Sequence, residues 1–242
     1  MYYQPDIEEN AKTIVLGEEE SQHCAQVLRA KVGEEVDVSD GKGHIYRCRV
    51  VNPNRKHCEL QVLSVASPEP LHAGKIHVAV APTKMMERLE WFVEKATEMG
   101  IDRITPLRCE HSERKVLNLD RLGRVMVAAA KQSLRATFPV IEEMTDYKEF
   151  MEQKMGKHRY IAHCEDGYAP TDGKLYLRDH LKDGVGQDEE VVVLIGPEGD
   201  FSPAEIELAL RNGWKPVSLG KGRLRTETAA LVACHTIVLA TE

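Results

Sequence analysis

Two short stretches hold the residues best placed to do chemistry. The first is Leu194-Ile195-Gly196-Pro197-Glu198-Gly199-Asp200-Phe201-Ser202-Pro203-Ala204-Glu205. Its approach, Val191–Ile195, is apolar throughout and reads as a strand buried on both faces. Its exit carries the marks of a helix start: Ser202 as N-cap, Pro203 in the first turn, and Glu205 to close a capping box. Between strand and helix lies a tight loop with two glycines and a proline. Ligands of open α/β sheets bind at the carboxyl ends of strands, and glycines let them approach the backbone. The plain alternative is a turn that needs positive φ. The second stretch is Leu219-Gly220-Lys221-Gly222-Arg223-Leu224-Arg225-Thr226-Glu227-Thr228-Ala229-Ala230. It has the same layout of strand, glycine loop and helix, and it presents Arg223, Arg225 and Glu227 beside a helix N-terminus. Two such loops from successive strands make one crevice.

Several chemistries are disfavoured. Neither loop contains GxxxxGK[ST], which argues against a P-loop site at Gly220-Lys221-Gly222. Ala81-Pro82-Thr83-Lys84 follows the first α/β strand in place of GxGxxG, which argues against an ordinary dinucleotide site, and no GxSxG nucleophile elbow occurs. His and Cys adjoin at His23-Cys24, His57-Cys58, His163-Cys164 and Cys234-His235, but neighbours on a strand point to opposite faces and do not chelate one ion. No metal is expected.

These loops need a framework to hold them. The 242 residues suffice for two units, and 42% apolar with 29% charged residues is ordinary for a globular chain. No apolar run reaches the ~18 residues of a membrane span. The start, Met1 to Glu9, lacks the basic and apolar parts of a signal peptide. The six cysteines are far apart and form no CxxC, so they read as reduced thiols of a cytoplasmic protein. Up to residue 66 the pattern is mostly short strands: Thr13–Leu16, Val36–Ser39, Ile45–Val51 and Cys58–Val65. One helix, Glu18–Ala30, puts Cys24, Val27 and Leu28 on a common face. Residues 67–74, with two prolines and a glycine, form a linker. From 75 to 242 strands alternate with helices: strands at Ile76–Val80, Ile104–Leu107, Tyr160–His163, Val191–Ile195 and Pro216–Leu219, and helices over Met85–Met99, Leu119–Ala136 and Glu227–Leu239. The fold class is α/β with a parallel sheet, preceded by a small barrel-like β unit.

Net charge is −7, yet Arg103–Arg135 holds eight basic residues against three acids. Lys221, Arg223 and Arg225 form a second cluster. Local basic faces on an acidic chain suit a polyanion, although a solvated charged helix reads the same way from charge alone.

At the two glycine loops the sequence resembles the SPOUT class of knotted RNA methyltransferases, and within it the ribosomal RNA small subunit methyltransferase E family. The family's Gly-Pro-Glu-Gly loop is Gly196–Gly199, and its Leu-Gly-x-x-x-Leu-Arg-Thr-Glu-Thr-Ala loop is Leu219–Ala229. The resemblance extends through Lys95–Gly100, Ser112-Glu113-Arg114, Gln132–Arg135 with Pro139, and His23 to Arg29 followed by Gly33 and Asp40–Gly43. Three positions depart from the family pattern. Asp200 stands where a second glycine is usual, Gly222-Arg223 replaces an arginine followed by a β-branched residue, and Lys131 replaces an acid.

The resemblance implies a PUA-like β-barrel over 1–66 for RNA, then a trefoil-knotted methyltransferase domain over 75–242. It also implies a homodimer, to which the apolar terminal helix would contribute. The cofactor would be S-adenosylmethionine, held by the backbone of Leu194–Gly199 and Leu219–Leu224; we assign Leu194, Ile195, Gly196, Pro197, Gly199, Leu219, Gly220, Leu224 and Thr228 to it. The expected product is N3-methyluridine in 16S ribosomal RNA of the small subunit. Arg225 would stabilise charge on the uracil or grip a phosphate, and Glu227 or Glu198 would accept the N3 proton or orient an arginine. Phosphate contacts are expected from Arg29, Arg114, Lys131, Gln132, Arg135 and Arg223. The competing readings are another SPOUT enzyme, acting on a ribose 2′-OH or a transfer RNA base, and a non-catalytic RNA-binding or assembly protein.

Overall fold

The computed structural model describes residues 1–168 and 173–241, which form two compact units. The first comprises Met1–Glu69 together with Val127–Phe138. It contains β1 (Tyr2–Tyr3), β2 (Thr13–Val15), α1 (Glu18–Gln22), β3 (Glu35–Ser39), β4 (Ile45–Asn52) and β5 (Glu59–Ala66). Its sheet has the order β1-β3-β4-β5-β2, antiparallel except for β1 against β3. Along β4, Tyr46, Cys48 and Val50 are buried while Arg47, Arg49 and Val51 face solvent, the period of two that a half-buried strand requires. The expected helix Glu18–Ala30 is a correction. After α1 the chain widens into a π-turn, His23–Val27, and Arg29 adopts a φ of 52°. A π-turn carries extra residues per turn and rotates the residues beyond it off the original face. Cys24 therefore stays buried, but Val27 and Leu28 are exposed.

Val127–Phe138 fills a seat in this unit. Ala136 accepts hydrogen bonds from Gly43 N (3.0 Å) and Ser39 Oγ (3.2 Å), and Phe138 N donates to Gly41 O at 2.9 Å. Gly41 has a φ of 72°, and a Cβ there would come within 3.0 Å of the Tyr3 ring and 3.2 Å of the Phe138 ring. Only glycine meets both demands. Lys131 is ion-paired with Glu20 in the same unit.

The second unit holds β6 (Lys75–Val80), α2 (Met86–Met99), β7 (Arg103–Arg108), the start of α3 (Leu119–Gln132), β8 (Val140–Ile141), β9 (Thr145–Asp146), α4 (Tyr147–Met151), β10 (His158–Ala162), β11 (Leu175–Tyr176), α5 (Leu177–His180), β12 (Glu190–Ile195), α6 (Pro203–Arg211), β13 (Lys215–Ser218) and α7 (Thr226–Thr241). Gly100, with a φ of 90°, ends α2 as the sequence leads one to expect. The helix expected to reach Ala136 stops at Gln132, because Leu134 turns left-handed at a φ of 57°.

The sheet is parallel throughout, in the order β11-β13-β10-β12-β6-β7-β8, with β9 beside β7. Strand β12 shows why its sequence is apolar without alternation. Val191, Val193 and Ile195 face one core, which includes Phe92 of α2 and Ile237 of α7. Val192 and Leu194 face the other, with Phe150 of α4 and Ile206 of α6. The strand is sandwiched, so both faces must be apolar. After β13, on the far side of β10 from β12, the chain doubles back and places α7 against β6, β12 and α2. Among the described residues no helix is long and apolar enough to cross a membrane.

Candidate functional site

The loops after β10, β12 and β13 open at the same end of the parallel sheet, around a cleft of about 850 Å³. That size lies within the range of small-molecule sites. The first glycine loop is a turn closed by Asp200 N donating to Pro197 O at 2.9 Å. It is anchored beyond the turn by the expected capping box: Ser202 N donates to Glu205 Oε2 (2.9 Å) and Glu205 N to Ser202 Oγ (3.4 Å). Glu205 also accepts from Glu110 N at 2.8 Å, so one buried carboxylate serves two loops. Neither Gly196 nor Gly199 has a positive φ; the left-handed residue of the turn is Asp200, at 63°. The glycines are small for a different reason. A Cβ on Gly196 would meet the ring and the amide nitrogen of Phe201 at 3.1 Å, and one on Gly199 would meet His111 Cβ at 3.2 Å.

The second glycine loop starts at β13, where Ser218 Oγ contacts Gly220 N and O, and ends where Thr226 Oγ1 donates to Gly196 O at 3.1 Å. The two loops are thus tied at the start of α7. Gly220 has a φ of 150°, and a Cβ on Gly220 or Gly222 would enter open space. The backbone of Lys221–Leu224 makes no hydrogen bond to another described residue. Backbone donors and acceptors without partners among the described residues, beside Ile195, Val217, Leu219, Leu224 and Ala229, suit a ligand that is part apolar and part polar.

Each residue singled out in the sequence has a definite place. Ile195, Gly196, Pro197, Leu219, Gly220 and Leu224 line the cleft; Leu194 points into the core, and Gly199 and Thr228 lie off the lining. Arg225 and Arg223 line it and are exposed, and the Arg225 guanidinium makes no bond to any described residue. Glu198 lines it as well, and its Oε1 accepts from Lys84 N at 3.0 Å, which ties the loop to the one after β6. Glu227 is buried outside the lining, with Oε1 at 3.8 Å from Arg88 Nε and Oε2 without a hydrogen bond among the described residues. Arg114 spends its fork on Thr83 O (3.2 Å) and Lys84 O (2.6 Å). In the first unit Arg29 and Gln132 are exposed, Lys131 is held by Glu20, and burial lowers the pKa of half-buried Arg135.

Sequence reasoning missed Arg88, Lys174, Cys164 and Asp200, all of which line the cleft. The signal available was the position of Cys164, two residues past the carboxyl end of β10, and of Arg88, in the first turn of the helix that follows β6. Lys174 Nζ donates to His163 O at 2.8 Å. With Arg88, Lys221, Arg223 and Arg225 it outnumbers Glu198 and Asp200, so the mouth of the cleft is cationic. No group of three His, Cys, Asp or Glu able to hold a metal occurs among the described residues.

The family described as an RNA methyltransferase domain matches residues 69–238, and that described as an RNA methyltransferase PUA domain matches residues 16–63. The chain belongs to the RNA methyltransferase family. A probable rRNA-methyltransferase from Porphyromonas gingivalis has a solved structure 40% identical to this chain; the match covers 98% of both chains with a TM-score of 0.86. A methyltransferase from Legionella pneumophila, solved with its bound cofactor S-adenosylmethionine, is 28% identical over 99% of this chain and 96% of its own, with a TM-score of 0.84. Ribosomal RNA small subunit methyltransferase E of Synechocystis is 29% identical over 91% of this chain and 71% of its own. The family resemblance carried by Gly196–Gly199 and Leu219–Ala229 therefore holds over both units.

The thiols offer a simple check on the cleft. Five of the six cysteines are buried, and burial pushes Cys48, Cys58 and Cys234 up to about 12. Cys164 alone is exposed. Iodoacetamide at mildly alkaline pH should label the folded chain once, at Cys164, and all six positions after unfolding. Peptide mass mapping reads this directly. Labelling of Cys109 or Cys234 in the folded chain would contradict the described packing.

Proposed function

We propose that this protein methylates N3 of a uridine in 16S ribosomal RNA of the small ribosomal subunit, with S-adenosylmethionine as methyl donor. The observation that carries the reading is the cleft between the two glycine loops, lined by the backbone of Lys221–Leu224 and by the Arg225 guanidinium, neither of which is bonded to another described residue. Family membership and the names of the relatives support the donor and the class of acceptor. When bound, S-adenosylmethionine supplies an electrophilic methyl group. Ile195, Leu219 and Leu224 offer apolar surface to its adenosyl part, and the backbone of Lys221–Leu224 offers hydrogen bonds to its polar edge.

The uridine must be unpaired to present N3. Arg225 can then place its fork on a uracil oxygen, where negative charge grows as the N3 proton leaves. Of the two acids that line the cleft, Asp200 has both carboxylate oxygens engaged by backbone amides, whereas Glu198 keeps one oxygen outside the bond to Lys84 N, so we assign the proton to Glu198. Glu227 is placed to hold Arg88 instead. Labelled S-adenosylmethionine, isolated small subunits and mass mapping of the RNA test the reading. The label should appear on N3 of one uridine; label on a ribose or on transfer RNA alone would refute it.

Arg29, Lys221 and Arg223 are exposed and outside every ion pair among the described residues, whereas Arg114 and Lys131 are already engaged. We therefore place phosphate contacts on the first three. Arg223→Ala should lower the salt dependence of RNA affinity by about one unit of slope. Arg114→Ala should leave the slope unchanged and lower the melting temperature. Binding measured across a salt series distinguishes them. A two-fold dimer in the cytoplasm belongs to the same reading: α7 is apolar on nearly every side, and Leu239 stays exposed together with Trp91 of α2. A monomeric mass by light scattering would remove that part.

A further inference from the structure

Asp200 uses every polar atom it has. Its N donates to Pro197 O (2.9 Å), its O faces His111 Nδ1 (3.0 Å), its Oδ1 accepts from Phe201 N (2.8 Å) and its Oδ2 from Cys164 N (2.7 Å). Its φ of 63° is a conformation that side chains other than glycine seldom adopt, and aspartate is among those that tolerate it best. A glycine would hold the turn with less strain, but it would bring no carboxylate. What the carboxylate adds is a strap between two separate loops: Cys164 follows β10 and Phe201 follows β12, and Cys164 and Asp200 both line the cleft.

The geometry points to Asp200 as a positioning residue of the cofactor cleft, one that fixes the spacing of its β10 and β12 walls by gripping the Cys164 amide. This rests on the reading that the cleft takes S-adenosylmethionine. A carboxylate accepting two backbone N–H groups makes charge-assisted bonds, stronger than those between neutral groups. A cleft held at its bound width loses less freedom on binding and so binds more tightly. We assign the effect of Asp200 to the wall and not to attraction of the positive sulfonium, and a charged and an uncharged ligand separate the two.

The test compares Asp200→Gly and Asp200→Asn with the unaltered protein, by calorimetry with S-adenosylmethionine and with S-adenosylhomocysteine, which lacks the positive charge. Asp200→Gly relaxes the turn and removes the strap, so affinity for both ligands should fall by the same factor, about tenfold. Asparagine keeps an oxygen for one of the two amides and should recover part of that loss. Melting temperatures that stay within a few degrees of the unaltered protein exclude general unfolding. Hydrogen exchange without ligand follows the strap separately, and the Cys164 amide should exchange faster in Asp200→Gly. Unchanged affinity, or a loss confined to the charged ligand, overturns the inference. If the unaltered protein binds neither ligand while the Cys164 amide still loses protection, the strap stands and the cofactor reading falls.

Discussion

Arg225→Ala should cut the turnover of methyl transfer by a factor of about 10² to 10³, some 3–4 kcal/mol of transition-state stabilisation, and leave cofactor affinity nearly intact. The alternative role for Arg225 is a structural tie to a carboxylate such as Glu227. The structure gives that carboxylate another neighbour: Glu227 faces Arg88, and the Arg225 guanidinium is bonded to no described residue. Removing Arg225 therefore leaves no buried partner stranded, and the fold should not register the loss. Lysine at this position keeps the charge without the planar fork, so Arg225→Lys should recover only part of the rate. Turnover, cofactor Kd and melting temperature measured on one preparation decide the matter. A normal turnover with a lowered melting temperature would return Arg225 to a structural role.

Phe201→Ala should cost about 3–5 kcal/mol of stability, the range for emptying a buried aromatic site. Phe201 is fully buried, its ring 5.6 Å from that of Tyr147 and against the Cα of Gly196, so it supports the first glycine loop from beneath. At roughly 2–4 °C per kcal/mol for chains of this size, the melting temperature should drop by about ten degrees. Because the cavity opens directly under Gly196, the loop should also loosen, and saturating cofactor should restore part of the stability by binding only the folded state. A loss below about 1 kcal/mol would mean the ring is not a tight support.

The parts of the fold legible in the sequence were those governed by local rules. Ser202, Pro203 and Glu205 announce α6 because a capping box is satisfied within four residues, and Val191–Ile195 announces β12 because both of its faces are covered. The parts that stayed hidden depend on contacts distant in the chain. Nothing local marks the π-turn that carries Val27 and Leu28 out of the core. Nothing near Arg114 reveals that Thr83 and Lys84 will occupy its fork, and nothing near Lys131 points to Glu20. The site divided in the same way. Gly196, Pro197, Leu219, Gly220 and Leu224 could be read from strand–loop–helix layout, whereas Arg88 reaches the cleft from α2, and Cys164 and Lys174 from the segments after β10 and before β11, strands whose order in the sheet is not their order in the chain. Asp200 was visible as a departure, but its purpose needed the position of Cys164.

The seat that Val127–Phe138 fills around Gly41 bears on how such a protein can be cut and recombined. A gene fragment encoding only the first 69 residues would omit the strand-like partner of Lys42, the acceptor for Gly43 and the ring that packs on Tyr3. Tyr3 and Gly41 would then be left facing water. The N-terminal module is therefore not portable as one uninterrupted stretch of sequence. Fusing it to another protein, or expressing it alone, calls for a second segment spliced back from more than 50 residues downstream.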